Sequence, residues 1–159
     1  MQEYTQKYAV ACFFDDLQEG YTFHYSDTPL HVTLAQVFAF LASSESIISI
    51  VDETVKGFGG FTLLATGIEN WGDITVTRFE FSERLDFLYR TIQQKLLDGG
   101  AVFNEPEHLL DGFKTHSTHQ KSGHIGVDEH VDIKSVSLID MYPDEDSEKR
   151  QIVKVWSLR

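Results

Sequence analysis

The chain has 159 residues, 42% of them hydrophobic and 24% charged, the make-up of one globular domain with a core of its own. Its formal net charge of −12, from 13 basic and 25 acidic side chains with no basic run longer than Lys149-Arg150, argues against an extended nucleic-acid track, which needs cations laid along many phosphates. No apolar run reaches the ~20 residues that span a bilayer, and the stretch MQEYTQKYAV lacks the build of a secretory signal. The lone Cys12, between Ala11 and Phe13, reads as a buried structural thiol. A cytoplasmic protein with no membrane partner is the expectation.

Residues 7–14, KYAVACFF, are apolar and β-rich and predict a buried central strand. A long aromatic loop follows, and Leu30 to Phe40 predicts a second strand. Ser43 or Ser44 is placed to cap a helix over ESIISIVDETVKGF, with Ile47, Ile48, Val51 and Val55 on one face and Gly57, Gly59 and Gly60 ending it. FTLLATGIEN and DITVTRFEFS predict a hairpin turning at Trp71-Gly72-Asp73. Ser82 then caps a second helix, striped by Leu85, Leu88, Tyr89, Ile92, Leu96 and Leu97 and stopped at Gly99-Gly100. Residues 101–112 predict a loop. The last strands are Phe113 to Gln120, Val131 to Met141 and Gln151 to Leu158, the final two joined by the acidic turn PDEDSEKR. An α+β domain with helices outside two sheets fits this order.

One tripeptide type occurs in each half: His31-Val32-Thr33 and His116-Ser117-Thr118. In an extended strand residues i and i+2 share a face, so each copy aims an imidazole and a hydroxyl into the same space. Two such pairs facing each other across a cleft supply two proton-transfer groups and two small hydrogen-bond donors, a set suited to opening a phosphodiester.

In their surroundings these residues resemble the 2H phosphoesterase superfamily, whose best-known members are called 2′-5′ RNA ligases or RNA 2′,3′-cyclic phosphodiesterases. The first copy sits in Pro29-Leu30-His31-Val32-Thr33-Leu34, close to the usual form. The second, in Gly112-Phe113-Lys114-Thr115-His116-Ser117-Thr118, has Thr115 where a Pro is common and Ser117 where an apolar residue is common. The resemblance extends through VDIKSVSLIDM and covers most of the chain. It implies one domain over residues 1–159 with two pseudo-symmetric lobes, antiparallel sheets around a central cleft and helices outside. It further implies a metal-independent enzyme without cofactors, opening 2′,3′-cyclic phosphates or related 2′-5′ linkages on a nucleotide or short RNA end. His31 and His116 would act as acid and base, and Thr33 and Thr118 would hold the phosphoryl oxygens. A monomer is expected.

Around these four, Gln120 shares the strand face of His116 and Thr118, and Phe23 and Tyr25 are placed to stack a base, so all three are candidate substrate contacts. Lys114 shares the same face. Arg78 alternates away from Thr77 and Phe79, toward either the cleft or water. Two rival patterns are weaker. His116, His119, His124 and His130 lack a zinc-ligand spacing, and the acidic turn lacks the alternating ligands and glycine of a calcium loop. The alternative function is a non-catalytic nucleotide-binding module that keeps the cleft.

Overall fold

Alternation along the first strand sets out the architecture. In the computed structural model, which describes residues 6–40 and 43–158, β1 (Lys7–Phe13) is buried on both faces. Tyr8, Val10 and Cys12 project into the main core, whereas Ala9, Ala11 and Phe13 join a smaller apolar cluster with Phe23, Ile139 and Ile152. Residues 1–5, part of the stretch read above for a signal, lie outside the described residues.

Among the described residues, ten strands form two antiparallel sheets. The larger has the order β2-β10-β9-β1-β3-β6, with β2 at Thr22–His24, β3 at His31–Ala39, β6 at Val102–Phe103, β9 at Ser135–Asp140 and β10 at Lys149–Ser157. The smaller has the order β7-β5-β4-β8, with β4 at Phe61–Trp71, β5 at Ile74–Phe79, β7 at His116–Thr118 and β8 at His130–Ile133. Helices α1 (Ser44–Val55) and α2 (Glu83–Asp98) pack on each other. Their buried stripes, Ile47, Val51 and Val55 with Leu85, Leu88, Ile92 and Leu96, share the main core with Tyr8, Val10, Leu34 and Leu138. One face of the six-stranded sheet is thereby sealed by helices, and the other, carrying Ala9, Ala11 and Phe13, is left to line a cavity. No helix among the described residues is long and apolar enough to cross a membrane.

The predicted elements are present, with instructive differences. Ser82 caps α2, its hydroxyl accepting from the Leu85 N–H at 3.2 Å. Ser43 occupies the cap position of α1 without a side-chain bond. Gly72, at φ 76°, makes the hairpin turn where an L side chain would be strained. The strand predicted from Val131 to Met141 is two strands in different sheets, β8 and β9, broken at Lys134, whose carbonyl accepts from the Leu158 N–H at 2.9 Å. Uniform β-propensity conceals such a break. The strand predicted from Phe113 to Gln120 is regular only over β7, and the two stretches predicted as loops contain the short edge strands β2 and β6.

Candidate active site

Register explains why the first tripeptide faces the cavity. β1 pairs with β3 so that Phe13 lies opposite His31 and Ala11 opposite Thr33; directly opposed residues share a face. His31 and Thr33 are thus on the side of the sheet that the helices do not cover. The imidazole packs against the Phe13 ring at 5.2 Å between centroids. Its Nδ1 lies 2.8 Å from the Pro29 carbonyl oxygen. A carbonyl only accepts, so Nδ1 carries the hydrogen and Nε2 is left with its lone pair for chemistry.

The second tripeptide repeats this arrangement in the other sheet. β7 pairs with β5, with Arg78 opposite His116, Thr77 opposite Ser117 and Val76 opposite Thr118. His116 Nδ1 donates to the Lys114 carbonyl at 2.7 Å, again two residues back, which fixes the same tautomer. Trp71 takes the place Phe13 has for His31, with its ring centroid 4.6 Å from the His116 ring. Ser117 and Thr77 point to the opposite, buried side.

β3 and β7 lie against each other, and β6 covers only the far end of β3, pairing at Phe38 and Ala39. The His31 end of β3 therefore meets β7 with no strand between them. Two adjoining cavities fill the space: one of about 440 Å³ containing His31 and Thr33, and one of about 470 Å³ containing His116 and Lys114. Gln36 and Glu105 border both. Burial holds the His31 imidazole below its ordinary pKa, the Pro29 carbonyl raises it, and positive charge on His116 lowers it further. His116 is likewise lowered, first by burial and also by the Arg78 guanidinium, against a raising effect of the Lys114 carbonyl. The two imidazoles are near enough to feel one another's charge.

Of the candidate substrate contacts, Phe23, Tyr25 and Gln120 all line the His31 cavity. Phe23 is packed edge-on against Phe13 at 6.2 Å, while Tyr25 is half exposed. Gln120 reaches this cavity from the end of the opposite sheet, where residues 120–123 close a turn by mutual backbone bonds of 2.9 and 3.0 Å. Thr118 shares the His116 face of β7 and is not among the residues lining either cavity.

Arg78, opposite His116, is a neighbour of the candidate site that alternation alone does not select. Its Nε donates to the Thr115 carbonyl at 3.0 Å and its Nη1 lies 3.4 Å from Glu69, while Glu69 also accepts from Trp71 Nε1 at 2.8 Å. Guanidinium, carboxylate and indole form one brace around His116. The histidine cluster divides instead of converging. His119 stacks on His124 at 4.3 Å and donates to the Thr77 hydroxyl at 3.1 Å, which passes its own hydrogen to the Ile125 carbonyl at 2.6 Å. Among the described residues no group of three His, Cys, Asp or Glu is placed to hold a metal ion. Burial pushes the Cys12 thiol up to about 12, as expected of a structural residue.

No protein-family model and no curated protein sequence matches the chain. Solved structures do. A crystal structure of a phosphoesterase is similar at a TM-score of 0.62 and 15% identity, over 96% of this chain and 98% of that one. LigT of E. coli, complexed with 3′-AMP, gives 0.63 and 15% over the same shares. TT0787 of Thermus thermophilus gives 0.59 and 15%, again over 96% and 98%. The expected fold is thereby established: two sheets around a cleft, as in these phosphoesterase and LigT structures.

Proposed function

We propose that this chain is a metal-independent phosphodiesterase that opens 2′,3′-cyclic phosphates, or related 2′-5′ linkages, on a nucleotide or short RNA end. The observation carrying this reading is the repeated device at the cleft: two imidazoles from two sheets, each with Nδ1 donating to the carbonyl two residues back and each with Nε2 unspent. Likeness of fold to a phosphoesterase and to LigT, which was crystallised with 3′-AMP and with ATP, supports it.

In this mechanism the neutral imidazole takes a proton from water at Nε2 as the water oxygen bonds to phosphorus. The bond from phosphorus to one ribose oxygen breaks, and the protonated imidazole gives its Nε2 hydrogen to that oxygen. Thr33 and Thr118 donate to the non-bridging oxygens as charge builds on them. Which histidine is base and which acid depends on which ribose oxygen leaves. The Arg78 brace, through its bond to the Thr115 carbonyl, holds the backbone beside His116 in place.

The test is turnover of the four 2′,3′-cyclic nucleotides and of an oligonucleotide ending in a cyclic phosphate, in excess chelator. His31→Ala and His116→Ala are each expected to lose about 10²–10⁴-fold in kcat while keeping the wild-type circular dichroism spectrum. Wild-type turnover in either variant would remove that histidine from the chemistry. Nucleotide binding without turnover at any pH would leave the chain a binding module.

A further inference from the structure

Opposite His31 the 440 Å³ cavity is walled by side chains that the hydrolytic step does not use. Ala9 and Ala11 make a shallow floor, Phe23 and Tyr25 present aromatic rings, and Arg150 stands at the wall. Arg150 comes from β10, directly opposite Phe23 in the pairing of β10 with β2, so its side chain and the Phe23 ring share the cavity face. Its guanidinium is committed in an unusual way. Nη1 donates to three carbonyls, those of Ser147 at 2.8 Å, Lys149 at 3.0 Å and Met141 at 3.1 Å, and among the described residues no carboxylate pairs with it. Nε–H and Nη2–H, which form one side-on fork, have no partner among the described residues.

We propose that this cavity is a base pocket selective for guanine, the Nε–H and Nη2–H fork of Arg150 donating to the base's O6 and N7. The inference rests on the phosphodiesterase reading and specifies its substrate as a guanosine-ended nucleotide. Guanine alone offers two adjacent acceptors on that edge. Adenine places an N6 donor beside N7 and uracil separates O4 from O2 with its N3 donor, while cytosine's acceptor pair, N3 and O2, lies next to the glycosidic bond, where the ribose crowds a side-on fork. Phe23 and Tyr25 supply apolar faces for the ring, and the volume is within the range of small-molecule sites. A second phosphate fits the same arginine poorly. The adjoining floor is apolar, and the turn that holds Nη1 carries Asp144, Asp146 and Glu148, with Asp146 acting on the Arg150 charge.

Calorimetric titration of the unaltered protein with the 2′- and 3′-monophosphates of guanosine, inosine, 7-deazaguanosine, adenosine, cytidine and uridine tests this directly. Guanosine and inosine, which share O6 and N7, are expected to bind about tenfold or more tighter than adenosine and cytidine. The 7-deaza compound should lose much of that margin. Arg150→Lys, which keeps the charge but not the fork, should level the series. Because Arg150 also ties the 143–149 turn, the atom-deleted ligands carry the test if this variant misfolds. Cyclic-phosphate turnover is followed in parallel. A guanine preference without turnover sustains the pocket and removes the phosphodiesterase reading. Turnover with equal affinity for all bases sustains the enzyme and overturns the pocket, and failure to bind any nucleotide overturns both.

Discussion

Ser117 marks where the second tripeptide departs from the first. Val32, between His31 and Thr33, is fully buried and apolar; Ser117 is equally buried, yet its hydroxyl has no hydrogen-bond partner among the described residues. An unpaired buried hydroxyl costs stability that an apolar side chain does not. Ser117→Ala should therefore raise the unfolding free energy by about 1 kcal/mol in urea titration, with turnover unchanged; a loss of stability would mean that the hydroxyl has a partner. The two imidazoles make a pH prediction of definite sign. Both are held below the ordinary histidine value, so the base stays neutral, and competent, to below pH 6.5. In the proposed mechanism the acid, lowered as well, also gives up its proton below that pH. The kcat/KM profile of the free enzyme should thus peak on the acid side of pH 6.5 and fall toward pH 8. An optimum above pH 7.5 would contradict this electrostatic picture.

Among the elements, α2 does more than cover the sheet. Gln93, in its buried stripe, donates to the Leu34 carbonyl of β3 at 2.7 Å and accepts from the Leu110 N–H at 2.8 Å. It clamps the strand bearing His31 and Thr33 to the 105–112 segment that brings Glu105 between the two cavities. Leu110, at φ 52°, sits in a conformation that needs such support. Gln93→Leu leaves both backbone groups unpaired and should cost about 2–4 kcal/mol by chemical denaturation, with KM rising more than kcat falls. The sequence displayed β1, β3, both helices and the β4–β5 hairpin, because those depend on local periodicity and turn chemistry. It did not display Gln93, which on its helix is one polar residue among several. Nor did it display the role of Arg78, which depends on the cross-strand register that sets it opposite His116. Arg150 was hidden for another reason: it ends an acidic run that reads as a solvated tip, and only pairing with β2 turns it toward the cavity.

For the whole molecule, the −12 net charge and the local cations of the cleft act over different distances. Lys114 and Arg150 border the two cavities and Arg78 lies opposite His116, while the acidic remainder repels a polyanion from farther out. At physiological salt that repulsion is screened beyond about 8 Å, whereas contacts inside the cavity are not. Raising salt from 50 to 200 mM should therefore leave KM for a cyclic-phosphate oligonucleotide unchanged or lower. A basic nucleic-acid binder weakens steeply over the same range. A steep rise in KM with salt would show that the chain relies on a phosphate track after all.

The strand order also bears on how the chain reaches its final form. The four-stranded sheet begins with the hairpin of β4 and β5, neighbours in sequence that can pair soon after both are made. The six-stranded sheet instead joins Tyr8 to Asp140 and Phe23 to Arg150, contacts whose loop-closure cost is met late and which slow folding. While β9 and β10 are still being synthesised, β1 has no partner on that side, and the wall that would hold Arg150 does not exist. A ribosome-bound chain should thus acquire the His116 half of the cleft well before the His31 half. Until then the apolar segment 8–13 needs protection from other chains.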